Sequence, residues 1–212
     1  MFMASSFRKE DGGLPSARAN SAPAQPPFGI HPDSDPRRPE VEEFIRQVYA
    51  RRFNARITHF APVLVSLRDR AGTLVAAAGY RHAAQGPLFL EHYLDAPVER
   101  VLARHAHLQP ERANIVEVGH LAAGRAGEGR RLVYLLGPHL AAHGFQWVVG
   151  TLTQELRQLF VRIGVTPLEL GPADPAALGP DAMHWGSYYE HGPLVLAGHL
   201  PDALRQLVRR TA

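Results

Sequence analysis

A glycine-rich loop between a predicted strand and a predicted helix is the feature that most constrains the fold of this chain. Residues 115–123 predict a buried strand, and a helix is predicted from Arg130. Between them lie Gly124, Gly127 and Gly129. Glycine has no Cβ, so the backbone can approach a ligand closely, and the free N–H groups that begin a helix bind anions. The segment therefore predicts a site for a polyanionic ligand such as a nucleotide or coenzyme A.

Two better-known glycine loops fit this segment poorly. The only lysine of the chain is Lys9, so the Gly-Lys-Ser/Thr ending of a Walker-type loop is absent. The dinucleotide-binding fingerprint requires the first βαβ unit and an acidic residue about 20 residues later. The next predicted strand, 147–152, carries no carboxylate. Both nucleotide-binding classes are disfavoured, and a plain connecting loop stays open as an alternative.

Composition excludes several other classes of protein. A length of 212 residues suits one domain with a sizeable core. The chain has no cysteine, which excludes disulfides, thiolate metal sites and a cysteine nucleophile. Its net charge of +3 is spread over separated arginines, and its 12 histidines lack a His-x-x-x-His spacing with carboxylates on one helix. We therefore expect neither nucleic-acid binding nor a metal site. Without a signal-like or membrane-spanning apolar run, we expect a soluble, cytoplasmic protein.

The order of the predicted elements is that of an α/β domain with a mixed sheet. Residues 1–38 are rich in Pro, Ser, Ala and Gly towards their end and are expected to form a disordered or loosely docked tail. Residues 39–212 are expected to form a single domain. In order, the predicted elements are a helix from Pro39, strands at 62–67, 73–80 and 88–93, a helix from Pro97, a strand at 115–123, a helix from Arg130 to Gly144, a strand at 147–152, a helix from Thr153 to Gly164, strands at 167–170 and 194–197, and a terminal helix.

The glycine loop and the element order resemble the GNAT-type N-acyltransferase superfamily, in which Arg/Gln-x-x-Gly-x-Gly/Ala follows the fourth strand. The resemblance implies a GNAT-like fold with a central mixed sheet flanked by helices, and coenzyme A or acyl-CoA as co-substrate. Gly124 stands where that superfamily carries Arg or Gln, so Arg125 or Arg130 would have to supply the side-chain contact. The implied cofactor-binding residues are Leu121, Ala122, Ala123, Gly124, Arg125, Ala126, Gly127, Glu128, Gly129 and Arg130.

Five separated blocks, in the same order, resemble the thermostable hemolysin family of bacterial proteins. They are residues 58–62, 77–81, 88–94, 117–122 and 185–189, and the likeness runs from about Pro39 to about Gly198. The family is named for haemolytic activity attributed to a founding example, while its fold looks like that of acyltransferases. The resemblance implies transfer of an acyl group from acyl-CoA or an acyl carrier protein to a small-molecule amine. A membrane-perturbing protein and an inactive fold that binds an acyl ligand are the alternatives.

Residues 117–122 are also similar to the fourth-strand block of acyl-homoserine lactone synthases, and this likeness implies that Glu117 is a catalytic base. His120 replaces the arginine of that block. A β-bulge at Gly119 would turn Glu117 and His120 toward one cleft, because bulges re-aim side chains beside active sites. A carboxylate paired with an arginine and a histidine packed in the sheet are the structural alternatives.

The usual GNAT general acid, a tyrosine, is missing from the helix after the fifth strand, where Phe160 stands. Tyr188 or Tyr189 is expected to supply the hydroxyl, unless both only close the core. The candidate catalytic residues are therefore Glu117, His120 and Tyr188. By their positions in a GNAT-like fold, the candidate acceptor-binding residues are His59, Glu91, Tyr93 and Tyr189. The sequence predicts neither the acyl length nor the oligomeric state.

Overall fold

The computed structural model describes residues 27–106 and 110–211, which are built around one seven-stranded sheet. The spatial order of the strands is β1-β2-β3-β4-β5-β7-β6. Only β4 and β5 pair in parallel; the other neighbours are antiparallel. The strands are β1 (Phe28–Pro32), β2 (Val63–Arg68), β3 (Leu74–His82), β4 (Ile115–Ala123), β5 (Trp147–Leu152), β6 (Leu168–Pro172) and β7 (Leu194–His199).

Helices cover the sheet, and the mixed α/β class predicted from the sequence is confirmed. The α-helices are α1 (Arg38–Phe53), α2 (Val98–Ala106), α3 (Glu128–Ala142), α4 (Gln154–Arg162) and α5 (Leu200–Thr211). Short 3-10 helices are formed by Ala83–Gln85, Phe89–Tyr93, Arg112–Asn114, Pro175–Trp185 and Tyr188–His191. The predicted strands at 115–123 and 147–152 are present with these bounds.

The two faces of the sheet bury different helices. On one face, Val41 and Ile45 of α1 are fully buried against β2, β3 and β4, as their i, i+4 spacing predicts. On the other face, Leu132 and Leu140 of α3 pack with Leu200 at the start of α5. Each such side chain contributes about 1.5–3 kcal/mol when it is removed from water. These contacts fix α3, and with it the glycine loop, at the end of β4.

The folded part begins earlier than the sequence predicts. Phe28–Pro32, inside the expected tail of residues 1–38, forms β1 and pairs with β2. His31 is buried and shares a hydrogen bond of 2.8 Å with Ser66, and the Arg38 guanidinium donates to the carbonyl oxygens of His31, Ala61 and Pro62. These polar contacts join distant parts of the chain, so composition alone does not reveal them. Residues 1–26 of the expected tail lie outside the described residues.

The third strand predicted at 88–93 is wrong, because Phe89–Tyr93 is a 3-10 helix. Its first N–H groups are bound by two carboxylates. Glu91 accepts from the backbone N–H of Leu88, and Glu117 of β4 accepts from those of Phe89 and Leu90. Carboxylates stabilise the start of a helix in this way. The local apolar pattern was compatible with a strand, and a residue far along the chain decides otherwise.

Candidate active site

The sheet opens between its two central strands. The parallel pairing of β4 with β5 covers Ile115–Trp147, Val116–Val148 and Glu117–Val149, although β4 continues to Ala123 and β5 to Leu152. Just beyond the last pair, a Cβ added to Gly150 would lie 2.6 Å from the carbonyl oxygen of Val118. Glycine is therefore required at the point where the strands still touch before they diverge.

A cavity of about 600 Å³ occupies this opening and reaches both faces of the sheet. Its walls include Gly119 to Leu121 from β4 and Gly150 to Leu152 from β5. The α1 face contributes Tyr49, His59, Phe60, Arg81, Phe89, Tyr93, Trp185 and Tyr188, and the helices of the other face and of the β5 end contribute Val133, Leu136, Leu140, Leu156, Phe160 and Leu204. A mostly apolar cavity with a few polar groups at one end is typical of a small-molecule site. The opening between the strands is not filled by side chains.

A β-bulge places Glu117 and His120 on the same face of the sheet. Between the pairs Ala77–Ala122 and Gly79–Gly119, β4 has one more residue than β3, and the φ of His120 is 55°. Positive φ is rare for a residue with a side chain and marks a strained position held by its surroundings. The bulge predicted at Gly119 is present, one residue later, at His120. Both side chains line the cavity, as the bulge hypothesis requires.

His120 carries a buried nitrogen with no partner. Its Nδ1 atom has no hydrogen bond among the described residues, and its ring lies 5.5 Å from the ring of Phe60 and 6.4 Å from that of Tyr49. Burial lowers the pKa of the imidazole to about 4, and the charge of Arg81 acts in the same direction, while the backbone of His59 opposes it. The ring is therefore neutral at pH 7 and can accept a proton. A buried polar atom without a partner is uncommon, and its place in a cavity makes His120 a candidate functional residue.

Glu117 is held by the backbone. One carboxylate oxygen accepts the N–H of Phe89 and the other that of Leu90, each at 2.8 Å. Burial raises the pKa of this carboxyl, and the two backbone hydrogen bonds and Arg81 oppose the shift. The arginine pairing considered from the sequence is not formed within the described residues: the partners are N–H groups. Glu117 therefore fixes the 3-10 helix Phe89–Tyr93 beside the cavity.

Tyr188 lies at the β5 side of the opening. Its hydroxyl donates to the carbonyl oxygen of Thr151 at 3.2 Å, and its ring packs against Tyr49, Phe53 and Trp185. Burial raises the pKa of the phenol well above its usual value, so the hydroxyl keeps its proton. The structure thus brings the three candidate catalytic residues, Glu117, His120 and Tyr188, to one cavity.

The four predicted acceptor contacts divide into two groups. His59 and Tyr93 line the cavity. Tyr189 does not line it and is connected to it by a hydrogen bond of 2.7 Å between its hydroxyl and that of Tyr93. Glu91 is not part of the lining, and its placement among acceptor contacts is corrected. Although burial raises its pKa, hydrogen bonds from Arg112 and from the N–H groups of Val98 and Leu88 lower it to about 2. Glu91 is therefore a structural anion.

The lining also contains residues that the sequence reasoning did not select, among them Arg81, Phe60 and Trp185. Phe60 and Trp185 lie within two of the five motif blocks, and Arg81 ends a third. Membership of these blocks was therefore the sequence signal that could have identified the three residues as part of the site. Their convergence on one cavity comes from strand register and helix packing, which no single block displays.

The predicted phosphate loop is exposed and its donors are free. α3 begins at Glu128, Gly127 before it has a φ of 86°, and the N–H groups of Gly127, Gly129 and Arg130 have no acceptor among the described residues. These donors, at a helix N-terminus, form the geometry that binds phosphate. Of the two arginines considered as replacements for the GNAT side chain, Arg125 lies 3.6 Å from Asp69, whereas Arg130 has no ion pair within the described part of the chain.

Two general features complete the description of the site. No group of three or more His, Asp or Glu side chains among the described residues is arranged to hold a metal ion. Within the same residues, no helix has the length and apolarity that a membrane crossing requires.

The mixed seven-stranded sheet that opens beside a bulged fourth strand has the fold of the GNAT-like proteins. The chain belongs to the thermostable hemolysin family, whose sequence model matches residues 31–204. No curated protein matches the chain.

Several solved structures share this fold at low sequence identity. TofI in an apo form is 17% identical with a TM-score of 0.58, over 85% of this chain and 95% of that one. The acyl-homoserine lactone synthase LasI is 14% identical with a TM-score of 0.56, over 82% and 89%. FeeM, an N-acyl amino acid synthase from uncultured soil microbes, is 15% identical with a TM-score of 0.56, over 84% and 98%. These likenesses establish the architecture described above.

Proposed function

We propose that this protein is an acyltransferase that moves an acyl group from acyl-CoA, or from an acyl carrier protein, to an amine. The observation that carries the proposal is the opening between β4 and β5, which holds a cavity with a buried, unpartnered imidazole nitrogen on one side and an apolar space on the other. Such an opening admits an extended thioester between two strands. The synthase activities named for the structural neighbours are consistent with this chemistry.

The acyl-CoA donor would be bound along its length, with its pyrophosphate at the loop after β4 and its thioester inside the cavity. The free N–H groups of Gly127, Gly129 and Arg130 would bind the pyrophosphate, and Arg130 would add a charge. The N–H groups of Gly124 and Glu128 already donate to the carbonyl oxygens of Val75 and Arg125. The edge of β4 from Leu121 to Ala123 has no strand partner on the β5 side among the described residues and would pair with the pantetheine arm. This arrangement leaves the thioester at the bulge, beside His120.

The chemistry then needs one base and one acid. His120, neutral at pH 7, would accept a proton from the acceptor's amino group, whose nitrogen forms a bond with the acyl carbon. The bond between that carbon and sulfur breaks, and the departing thiolate would take a proton from the Tyr188 hydroxyl. Glu117 was expected from the resemblance to be the base, but both its oxygens accept backbone N–H groups, so in this scheme it acts as a positioning residue instead.

The part of the cavity beside α3 and α5 would receive the acyl chain. Leu136, Leu140 and Leu204 form apolar walls there, and Gly137, which also lines the cavity, lies in close contact with Leu204. Burying each further methylene contributes about 0.8 kcal/mol, so this space favours medium or long acyl chains over acetyl.

Charge reversal at the loop tests the phosphate site. The variant Arg130→Glu is expected to weaken binding of dodecanoyl-CoA at least about 10-fold in calorimetry, because it removes a charge-assisted contact and repels phosphate. Arg131→Glu is the matched control, with the same change in net charge at a residue whose partner is Glu128. Its effect should be several-fold smaller.

Equal weakening by the two variants, or no binding of dodecanoyl-CoA by the wild-type protein, would contradict the proposed cradle. A second variant, Gly127→Trp, covers the loop with a bulky side chain and should abolish binding. Tight binding without release of free thiol in the presence of any amine would indicate the alternative of an acyl-ligand-binding protein without catalysis.

Gly137 provides a test of the acyl-chain space. A Cβ there would lie 3.2 Å from a terminal methyl of Leu204, so a larger side chain must displace Leu204 or extend into the cavity that both residues line. Gly137→Leu is expected to weaken dodecanoyl-CoA binding about 10-fold or more while changing butyryl-CoA binding by less than about 2-fold. Gly137→Ala, which adds only the Cβ, is the control. Equal effects on both donors would place the acyl chain elsewhere.

A further inference from the structure

Arg81 and Glu117 face each other across two strands without forming an ion pair. They are directly paired in the register of β3 and β4, so both side chains lie on the α1 face. Opposite charges at such a distance ordinarily join. Here the Glu117 oxygens are taken by the N–H groups of Phe89 and Leu90. The Arg81 charge is therefore left without a carboxylate partner within the described residues.

The Arg81 guanidinium keeps most of its donors for the cavity. Its one described hydrogen bond runs from Nη1 to the carbonyl oxygen of Pro87, at 3.2 Å. A guanidinium has five N–H donors in a planar fork that matches a carboxylate. The side chain is partly buried and lines a largely apolar cavity, with Glu117 nearby but not in contact with the guanidinium. A ligand that carries an anion at this point would satisfy it.

The placement of Arg81 and His120 on one face of the sheet defines the ligand further. The His120 Nδ1 atom lies next to Gly79, since a Cβ on Gly79 would be 3.4 Å from it. Gly79 and Arg81 point to the same face of β3, so the Arg81 side chain leaves the strand on the face where His120 lies, and both side chains line the cavity. An α-amino acid carries the two complementary groups on one carbon, an amine for His120 and a carboxylate for the guanidinium, each at a hydrogen-bond distance of roughly 3 Å.

From this geometry we infer that the amine acceptor is an α-amino acid whose carboxylate is bound by Arg81 while its amino group faces His120. The inference rests on the proposed acyltransferase function and names its second substrate. Phe60 and Tyr49 flank His120, and Phe89 and Trp185 pack together beside them. These aromatic walls fit an acceptor with an aromatic side chain, such as phenylalanine.

A binding experiment tests this carboxylate site without requiring turnover. The probes are N-dodecanoyl-phenylalanine and its carboxamide, which differ only in the charged group. Wild-type protein is expected to bind the acid about 10- to 100-fold more tightly than the amide, as a charged hydrogen-bond pair provides. Arg81→Gln should weaken binding of the acid to the level of the amide and leave binding of the amide unchanged. Arg81→Lys should restore part of the preference, and Arg70→Gln, in the exposed β2–β3 turn, should behave as wild type.

Equal weakening of both probes by Arg81→Gln, or no preference for the acid in wild-type protein, would overturn the inference. Melting temperatures of the two Arg81 variants check that they are folded, and the lysine variant carries the test if the glutamine variant is not. Dodecanoyl-CoA binding, measured in parallel, reports on the proposed function separately. A preference for the acid that depends on Arg81, with no CoA binding, would refute acyl-CoA as donor and leave the carboxylate site intact.

Discussion

Replacing His120 by asparagine is expected to lower kcat/KM for acyl transfer by about 10²- to 10⁴-fold, the usual contribution of a general base. Asparagine tolerates the positive φ of 55° found at this bulge better than other residues, but its amide accepts no proton as a base. Binding of dodecanoyl-CoA should change little, because the phosphate loop and the β4 edge are untouched. Thiol release with the best acceptor from a panel of amines and amino acids measures the effect.

The pKa of His120 can be checked without any substrate. In a histidine NMR titration, the resonance lost in His120→Asn should titrate near pH 4, far below the ordinary value of about 6.5. The imidazole is therefore neutral above about pH 5, and protonation of His120 should not reduce activity between pH 8 and pH 5.

The same lowered pKa has a consequence for stability. The folded state binds the proton less readily than the unfolded state, so the stability that neutral His120 contributes is present above pH 6.5 and is lost as the pH falls toward 4. His120→Asn should lack this part of the acid destabilisation. Exposed His105 is the control residue: His105→Asn should resemble wild type in activity and in acid unfolding. Full activity in His120→Asn, or a titration near 6.5, would remove His120 from the proposed mechanism.

The central elements of the site could be predicted because their signals are local. The mostly apolar run at 115–123, followed by Gly124, predicts β4, and the run at 147–152 predicts β5, so both were predicted with the bounds that the structure has. Gly119 suggested a bulge, and the bulge lies at the next residue. The glycines after β4 placed the start of α3 to within two residues. Each of these features depends on a few consecutive residues.

Other features depend on contacts between distant residues and escaped prediction. Phe89–Tyr93 has an apolar pattern that suits a strand, yet the carboxylate of Glu117 binds its first N–H groups and favours a helix. Glu91 looked like an acceptor contact, but Arg112 holds it away from the cavity. The unpaired state of Arg81 follows from the same use of Glu117. Sequence spacing does not encode which partner an ionised group selects.

Gly186 is expected to be the least replaceable glycine of the 185–189 block. A Cβ on it would lie 2.0 Å from the carbonyl oxygen of Phe53 and 2.7 Å from that of Asn54. Both are backbone atoms at the end of α1, so neither can turn aside. The N–H of Ser187 donates to the same Phe53 oxygen at 2.8 Å, and that of Arg56 donates to the carbonyl of His184 at 2.6 Å. Gly186→Ala must therefore separate two segments that are joined by backbone hydrogen bonds.

Gly179 separates this crowding from backbone strain. Its φ and ψ of 54° and −132° nearly equal those of Gly186, at 53° and −128°, but nothing lies within 4 Å of an added Cβ. Pro180 restricts any side chain at position 179, so it can only increase the stability loss of Gly179→Ala and reduce the difference between the two variants. Gly186→Ala should lower the free energy of unfolding by at least about 3 kcal/mol more than Gly179→Ala in urea titrations. Equal losses of unfolding free energy in the two variants would mean that the backbone at Phe53 moves away from the added Cβ without an energetic cost. A larger loss in Gly186→Ala would mean that the close contact of Gly186 with the end of α1 keeps Trp185 and Tyr188 beside the cavity. The 185–189 block would then support the site through this backbone contact.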